Sequence, residues 1–75
     1  MQPITIKVNQ QNKPCAFRWK KRQYPITEII DEWREAGQWW LGEPERHVYR
    51  VLTSTGGLYE LHQAGGRWYL SQVFD

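Results

Sequence analysis

The chain has 75 residues, of which 40% are hydrophobic, 15% aromatic and 24% charged, with a formal net charge of +2. That length allows one domain, residues 1–75, and leaves too little chain for a second core. No run of apolar residues is long enough for a membrane-spanning helix, no apolar secretory stretch follows Met1, and the single cysteine, Cys15, excludes an internal disulfide or a CxxC zinc knuckle, so a cytoplasmic protein without a membrane role is expected. Five Trp, four Tyr and two Phe then have to supply most of the core volume, because aromatic rings bury the largest areas per residue.

In chain order, Ile4-Thr5-Ile6-Lys7-Val8 alternates apolar and polar residues and is rich in β-branched side chains, which predicts a strand. Asn9 to Pro14 reads as a turn. Cys15-Ala16-Phe17-Arg18-Trp19 alternates again, with Cys15, Phe17 and Trp19 on one face and Arg18 on the other. Lys20-Lys21-Arg22 forms a charged tip, and the return strand starts at Gln23-Tyr24-Pro25-Ile26. Pro25 cannot donate to a ladder, so it belongs at an edge or a bulge.

Residues 27–36 fit two periods. Ile26, Ile30 and Trp33 form a helical stripe that Gly37 would stop, whereas Tyr24, Ile26 and Ile30 fit a strand with a bulge at Ile29-Ile30. The strand is the preferred reading, running from Tyr24 to about Asp31 and followed by an irregular or one-turn helical connection. The C-terminal half reads as a meander. It has strands at Arg46 to Leu52, Leu58 to His62 and Arg67 to Phe74, joined by hairpin loops at Gly56-Gly57 and Gly65-Gly66. The fold class is therefore all-β with at most one short helix: five or six antiparallel strands in a small barrel or a strongly twisted meander.

Charge is unevenly placed along the chain. Residues 1–24 carry six cations and no acid, residues 25–45 carry a local charge of −5, and the remainder carries +1. In so small a fold the two blocks lie near one another and are expected to neutralise each other in part, which weakens a basic pI as evidence for a polyanionic partner.

The most suggestive segment is Phe17 to Tyr24. Arg18, Lys20, Lys21 and Arg22 suit phosphates and Trp19 or Tyr24 suits base stacking, so the segment reads as a nucleic-acid-binding hairpin, with DNA the expected ligand. The plainer alternative is a solvated tip whose rings belong to the core. Trp39 and Trp40 are adjacent and must diverge in direction, so one of them is expected at the surface, where an exposed Trp serves as a protein-interface anchor. Glu28, Asp31, Glu32 and Glu35 read as a solvated acidic face. His47 and His62 lack paired ligand spacing, and no nucleophile elbow or phosphate-binding glycine motif occurs; no catalytic residue, metal or cofactor is implied.

Taken together, Phe17-Arg18-Trp19, Tyr24-Pro25-Ile26, Ile29-Ile30, Trp33, Trp39-Trp40, Glu45-Arg46, Tyr49-Arg50-Val51, Tyr59-Glu60-Leu61 and Trp68-Tyr69-Leu70 resemble a small bacterial domain family of unknown function, over nearly the whole chain. A similar segment resembles the C-terminal end of Y-family-polymerase-like proteins of the damage-induced mutagenesis cassette. The resemblance implies an accessory, non-enzymatic role near DNA repair, with DNA or a polymerase-type protein as partner. It also implies a glycine at the first hairpin tip, where this chain has Lys20-Lys21-Arg22, and that departure argues against a tight two-residue turn. Two functions follow as expectations: a nucleic-acid-binding module, or a protein-interaction module, monomeric or homodimeric, that uses Trp39 or Trp40.

Overall fold

Strand β1 (Gln2–Val8) starts an unbroken antiparallel series in the computed structural model: β2 (Pro14–Trp19), β3 (Arg22–Glu35), β4 (Arg46–Thr53), β5 (Leu58–Ala64) and β6 (Arg67–Phe74). Each strand pairs with the next, and β6 returns to pair with β1, closing a six-stranded barrel. The structure describes residues 2–37 and 39–74, with Trp39 described in its backbone only. Among these there is no α-helix; the one helical turn is a 3-10 turn, Trp39–Leu41, in the β3–β4 connection. Closure suits a chain this short, because it leaves no strand without a neighbour on either side and gathers one apolar core inside.

Two strands serve two neighbourhoods. β1 pairs with β6 through Gln2–Ile4 and with β2 through Thr5–Val8. β3 pairs with β2 through Arg22–Pro25 and with β4 from Ile26 to Glu35. Such strands form the corners at which one sheet passes into the next. Pro25 stands at the corner of β3, opposite Ala16 in the last β2 pair, where its missing N–H costs no ladder bond. Its carbonyl accepts from the Ser54 amide at 2.9 Å.

Register shifts follow between Ile26 and Glu28 and between Ile29 and Asp31. The second is the bulge that Ile29-Ile30 predicts. A bulge inserts one residue and resets the alternation, which is why Ile26 and Ile29, three apart, both pack on the core while Ile30 is 47% exposed.

The sequence reading needs two corrections. β3 runs to Glu35 and does not stop near Asp31, because β4 supplies partners as far as Trp33↔Val48 and Glu35↔Arg46; the helical stripe over residues 27–36 does not form. The first hairpin tip is, despite its lack of glycine, a two-residue turn: Trp19 pairs with Arg22, and Lys20 and Lys21 sit at φ of 51° and 65°. Two-residue turns with positive φ at both positions match the right-handed twist of the flanking strands, so the strands impose the turn on two lysines.

The core is aromatic at its centre. Phe17, Tyr49, Val51, Tyr59, Leu61, Trp68 and Leu70 are buried in one cluster, with Ile4, Ile6, Trp19, Tyr24, Ile26 and Ile29 packed against it. The Phe17 ring stacks on Tyr24 at 4.9 Å and meets Tyr59 edge-on at 5.3 Å; Tyr49 stacks on Trp68 at 5.4 Å. Offset and edge-to-face contacts of this kind add about 0.5–1.5 kcal/mol per pair beyond burial.

Candidate nucleic-acid interface

The β2–β3 hairpin positions the predicted binding residues. Alternation along β2 sends Phe17 and Trp19 inward and Arg18 outward, opposite Gln23. Arg18, Lys20, Lys21 and Arg22 are all exposed, whereas Trp19 and Tyr24 are half-buried. Tyr24 belongs largely to the core: its ring lies 5.5 Å from Tyr59 as well as against Phe17. Trp19 is the ring nearer the surface. Its indole N–H donates to Gln2 Oε1 at 2.7 Å, and the Lys20 ammonium lies 4.7 Å from its ring centroid. This cation–π contact holds the first lysine of the turn over the indole face. The tip is thus tied down to the barrel wall.

Ion pairing sharpens the charge pattern of the sequence. Lys13 grips Glu32 with 2.9 Å to each carboxylate oxygen, Arg34 meets Glu45 at 3.6 Å, Arg46 meets Glu35 at 3.6 Å and Arg50 meets Glu60 at 3.4 Å. Arg50 is further enclosed between the Trp33 and Phe74 rings, at 5.4 and 5.2 Å from their centroids. Among the described residues, Lys7, Arg18, Lys20, Lys21, Arg22 and Arg67 meet no carboxylate. The acidic block therefore neutralises Lys13 from the basic block and otherwise the cations of its own half. Among the described residues, the ion pair between the two blocks is Lys13–Glu32.

Four of the unpaired cations border two recesses that flank β1. One of about 300 Å³ is lined by Pro3, Thr5, Arg18, Trp19, Lys20 and Lys21. A second, about 520 Å³, runs along the other edge of β1, where Thr5 and Ile6 face Gly66, Arg67, Trp68 and Tyr69. Arg67 is the member that charge-counting along the chain misses, since it lies in a nearly neutral stretch. The only signal in the sequence is the alternation Arg67-Trp68-Tyr69-Leu70, which puts Arg67 and Tyr69 outside while Trp68 and Leu70 enter the core.

At the other end of the barrel, a second polar group links two strands, β3 and β4, and the loop that holds Lys13. Glu32 takes Lys13 and lies 3.1 Å from His47 Nε2; His47 Nδ1 lies 3.1 Å from the Tyr49 hydroxyl. The hydrogen bond from Lys13 lowers the Glu32 carboxyl below the usual carboxylate range and raises the Lys13 ammonium. Burial pushes the Tyr49 phenol up. Of the acidic residues read as one solvated face, Glu32 and Glu35 are thus engaged in pairs, while Glu28 and Asp31 are exposed. His62 is buried against Glu60 at 3.2 Å. No group of three or more His, Cys, Asp or Glu placed to hold a metal occurs among the described residues.

The Trp39-Trp40 pair lies on the 3-10 turn. Trp40 and its neighbour Leu41 are each 65% exposed. The side chain of Trp39 lies outside the described part of the structure.

No curated protein and no solved structure matches the chain. One family model, described as a domain of unknown function, matches residues 1–75. A match over the full length shows the family: the chain belongs to the domain-of-unknown-function family DUF6504.

Proposed function

We propose that the protein is a non-enzymatic nucleic-acid-binding module whose contact surface is centred on the β2–β3 hairpin. The observation that carries this reading is the cluster of cations without acid partners among the described residues, Arg18, Lys20, Lys21 and Arg22, in a protein whose remaining cations are largely paired. Unpaired cations clustered at one hairpin end, with Arg18 on the outer face and Arg22, opposite Trp19, on the other, attract a polyanion and release its counterions on binding. Trp19 supplies a ring for stacking, and Tyr24 supports it from the core side, 6.2 Å away between centroids. The resemblance of the aromatic pattern to the C-terminal segment of Y-family-polymerase-like proteins supports a place near DNA repair, with DNA as ligand and a polymerase-type protein as neighbour.

Changing Lys20, Lys21 and Arg22 together to Ala tests the reading. Binding to a DNA oligonucleotide, followed by anisotropy across a salt series, is expected to weaken at least tenfold at low salt, and the slope of log K against log salt to shrink by about 2. An unchanged affinity and slope would sink the proposal.

A second reading rests on Trp40 and Leu41, two large apolar side chains side by side at 65% exposure. A protein partner or a second copy of the chain would cover them. Light scattering across concentration, with and without Trp40→Ala, separates this reading from the first.

A further inference from the structure

We infer that the ligand is a single-stranded nucleic acid laid across the outer side of β1, with Arg67 and Tyr69 as contacts at the end of the path opposite the hairpin tip. This rests on the nucleic-acid reading above and names its substrate class. The geometry comes from the way β1 changes partners. Pairing with β6 ends at Ile4↔Trp68, and pairing with β2 begins at Thr5↔Arg18. On each side of β1, half of the strand therefore lacks a ladder partner, and a wedge opens there. These wedges are the recesses of about 300 and 520 Å³, and both are lined by Pro3, Ile4 and Thr5, so they meet over the middle of the strand.

Outward-facing side chains connect the wedges in a single row. Tyr69 stands directly opposite Pro3, and Thr5 directly opposite Arg18, on the face away from the core. Directly opposed side chains lie about 5 Å apart at their β carbons, and Pro3 and Thr5 share a face because they are two apart in one strand. Lys20 and Lys21 extend the row at the hairpin end, and Arg67, two residues before Tyr69, extends it at the other. The path has cations at both ends, a half-buried Trp19 beside the first wedge and a half-buried Tyr69 beside the second. A chain of phosphates bearing unpaired bases fits this alternation, because charges meet the backbone while rings stack on open base faces.

Duplex DNA asks for something else. A two-stranded ribbon reads a duplex by entering its major groove, which needs a projecting hairpin. Here the Trp19–Gln2 hydrogen bond and the Lys20–Trp19 contact hold the tip against the barrel. In such a complex the bases would also be paired and stacked, out of reach of Tyr69.

The test uses the full chain and three fluorescent probes: an oligothymidylate of about 12 nucleotides, within the span of one small barrel, its abasic counterpart and a duplex of equal length. The oligothymidylate is expected to bind at least tenfold tighter than the duplex. Tyr69→Ala is expected to weaken oligothymidylate binding by about five- to a hundred-fold and to leave the abasic probe unaffected. Arg67→Ala is expected to reduce the salt slope by about 0.7. Tyr69→Leu, which keeps an apolar body in the seam, together with thermal melting of each variant, separates a lost contact from a lost fold; Arg67 is exposed and carries no such risk. If no probe binds at low salt, the nucleic-acid reading itself falls. If binding depends on Lys20, Lys21 and Arg22 but Arg67→Ala and Tyr69→Leu bind as the parent does, or if the duplex binds as tightly as the single strand, the path across β1 is overturned and the hairpin reading stands.

Discussion

Lys20 and Lys21 occupy left-handed backbone, a conformation that costs a residue with a β carbon about 1 kcal/mol or more. The strands on either side demand the turn, and the local sequence opposes it. Asn-Gly is the pair best suited to such a turn. Lys20→Asn combined with Lys21→Gly is therefore expected to stabilise the protein by about 1 kcal/mol, raising Tm by about 4–8 °C in a domain of this size. The same change is expected to weaken oligonucleotide binding. Thermal melting and anisotropy on one preparation check both signs. A strained tip kept at a proposed binding surface is the usual form of a trade between stability and function. Tyr24 teaches the reverse lesson. In the sequence it is as good a stacking ring as Trp19, yet its contacts with Phe17 and Tyr59 make it a core residue first.

Among the elements, β3 is tied by a side-chain clasp to the loop that leads into β2. Its pairing with β2 ends at Pro25, and Lys13, just before β2, reaches across to Glu32 farther along. The sign of the pH dependence follows from the two shifts. The Glu32 carboxyl is lowered, chiefly by the hydrogen bond from Lys13, so its stabilisation is present above the ordinary carboxylate pKa and is lost as pH falls through the folded value. The Lys13 ammonium is raised, again chiefly by that hydrogen bond, so its share is present below the ordinary lysine pKa and is lost as pH rises through the folded value. Glu32→Gln is expected to be less stable than the parent at neutral pH, and the gap is expected to close at both pH extremes. Urea midpoints measured across pH check this; a constant gap would show that the clasp contributes through packing alone.

For the molecule as a whole, the margin is narrow. A chain of this length rarely gains more than about 3–5 kcal/mol from one core. Phe17 is 1% exposed and touches both Tyr24 and Tyr59. Phe17→Ala removes about 3–5 kcal/mol in a typical core. It is therefore expected to leave a substantial unfolded population at 25 °C, visible as lost near-ultraviolet dichroism and a vanished thermal transition. Retained cooperative unfolding would mean that the aromatic cluster can close over the cavity.

Composition and alternation together were enough to specify an all-β domain, the three C-terminal strands, the bulge at Ile29-Ile30 and the inward side of β2 at Phe17 and Trp19, because a strand facing a barrel interior needs an apolar side chain at every second position. The basic hairpin was equally legible, since its residues are contiguous. Tertiary structure alone decided the length of β3, the two-residue turn at Lys20-Lys21 and the arrival of Arg67 and Tyr69 beside Thr5. Each depends on a partner distant in sequence: β4 extends β3, the twist of paired strands sets the turn, and closure of β6 onto β1 builds the seam. Periodicity records which side of its own strand a residue occupies and carries no information about which strand lies next to it.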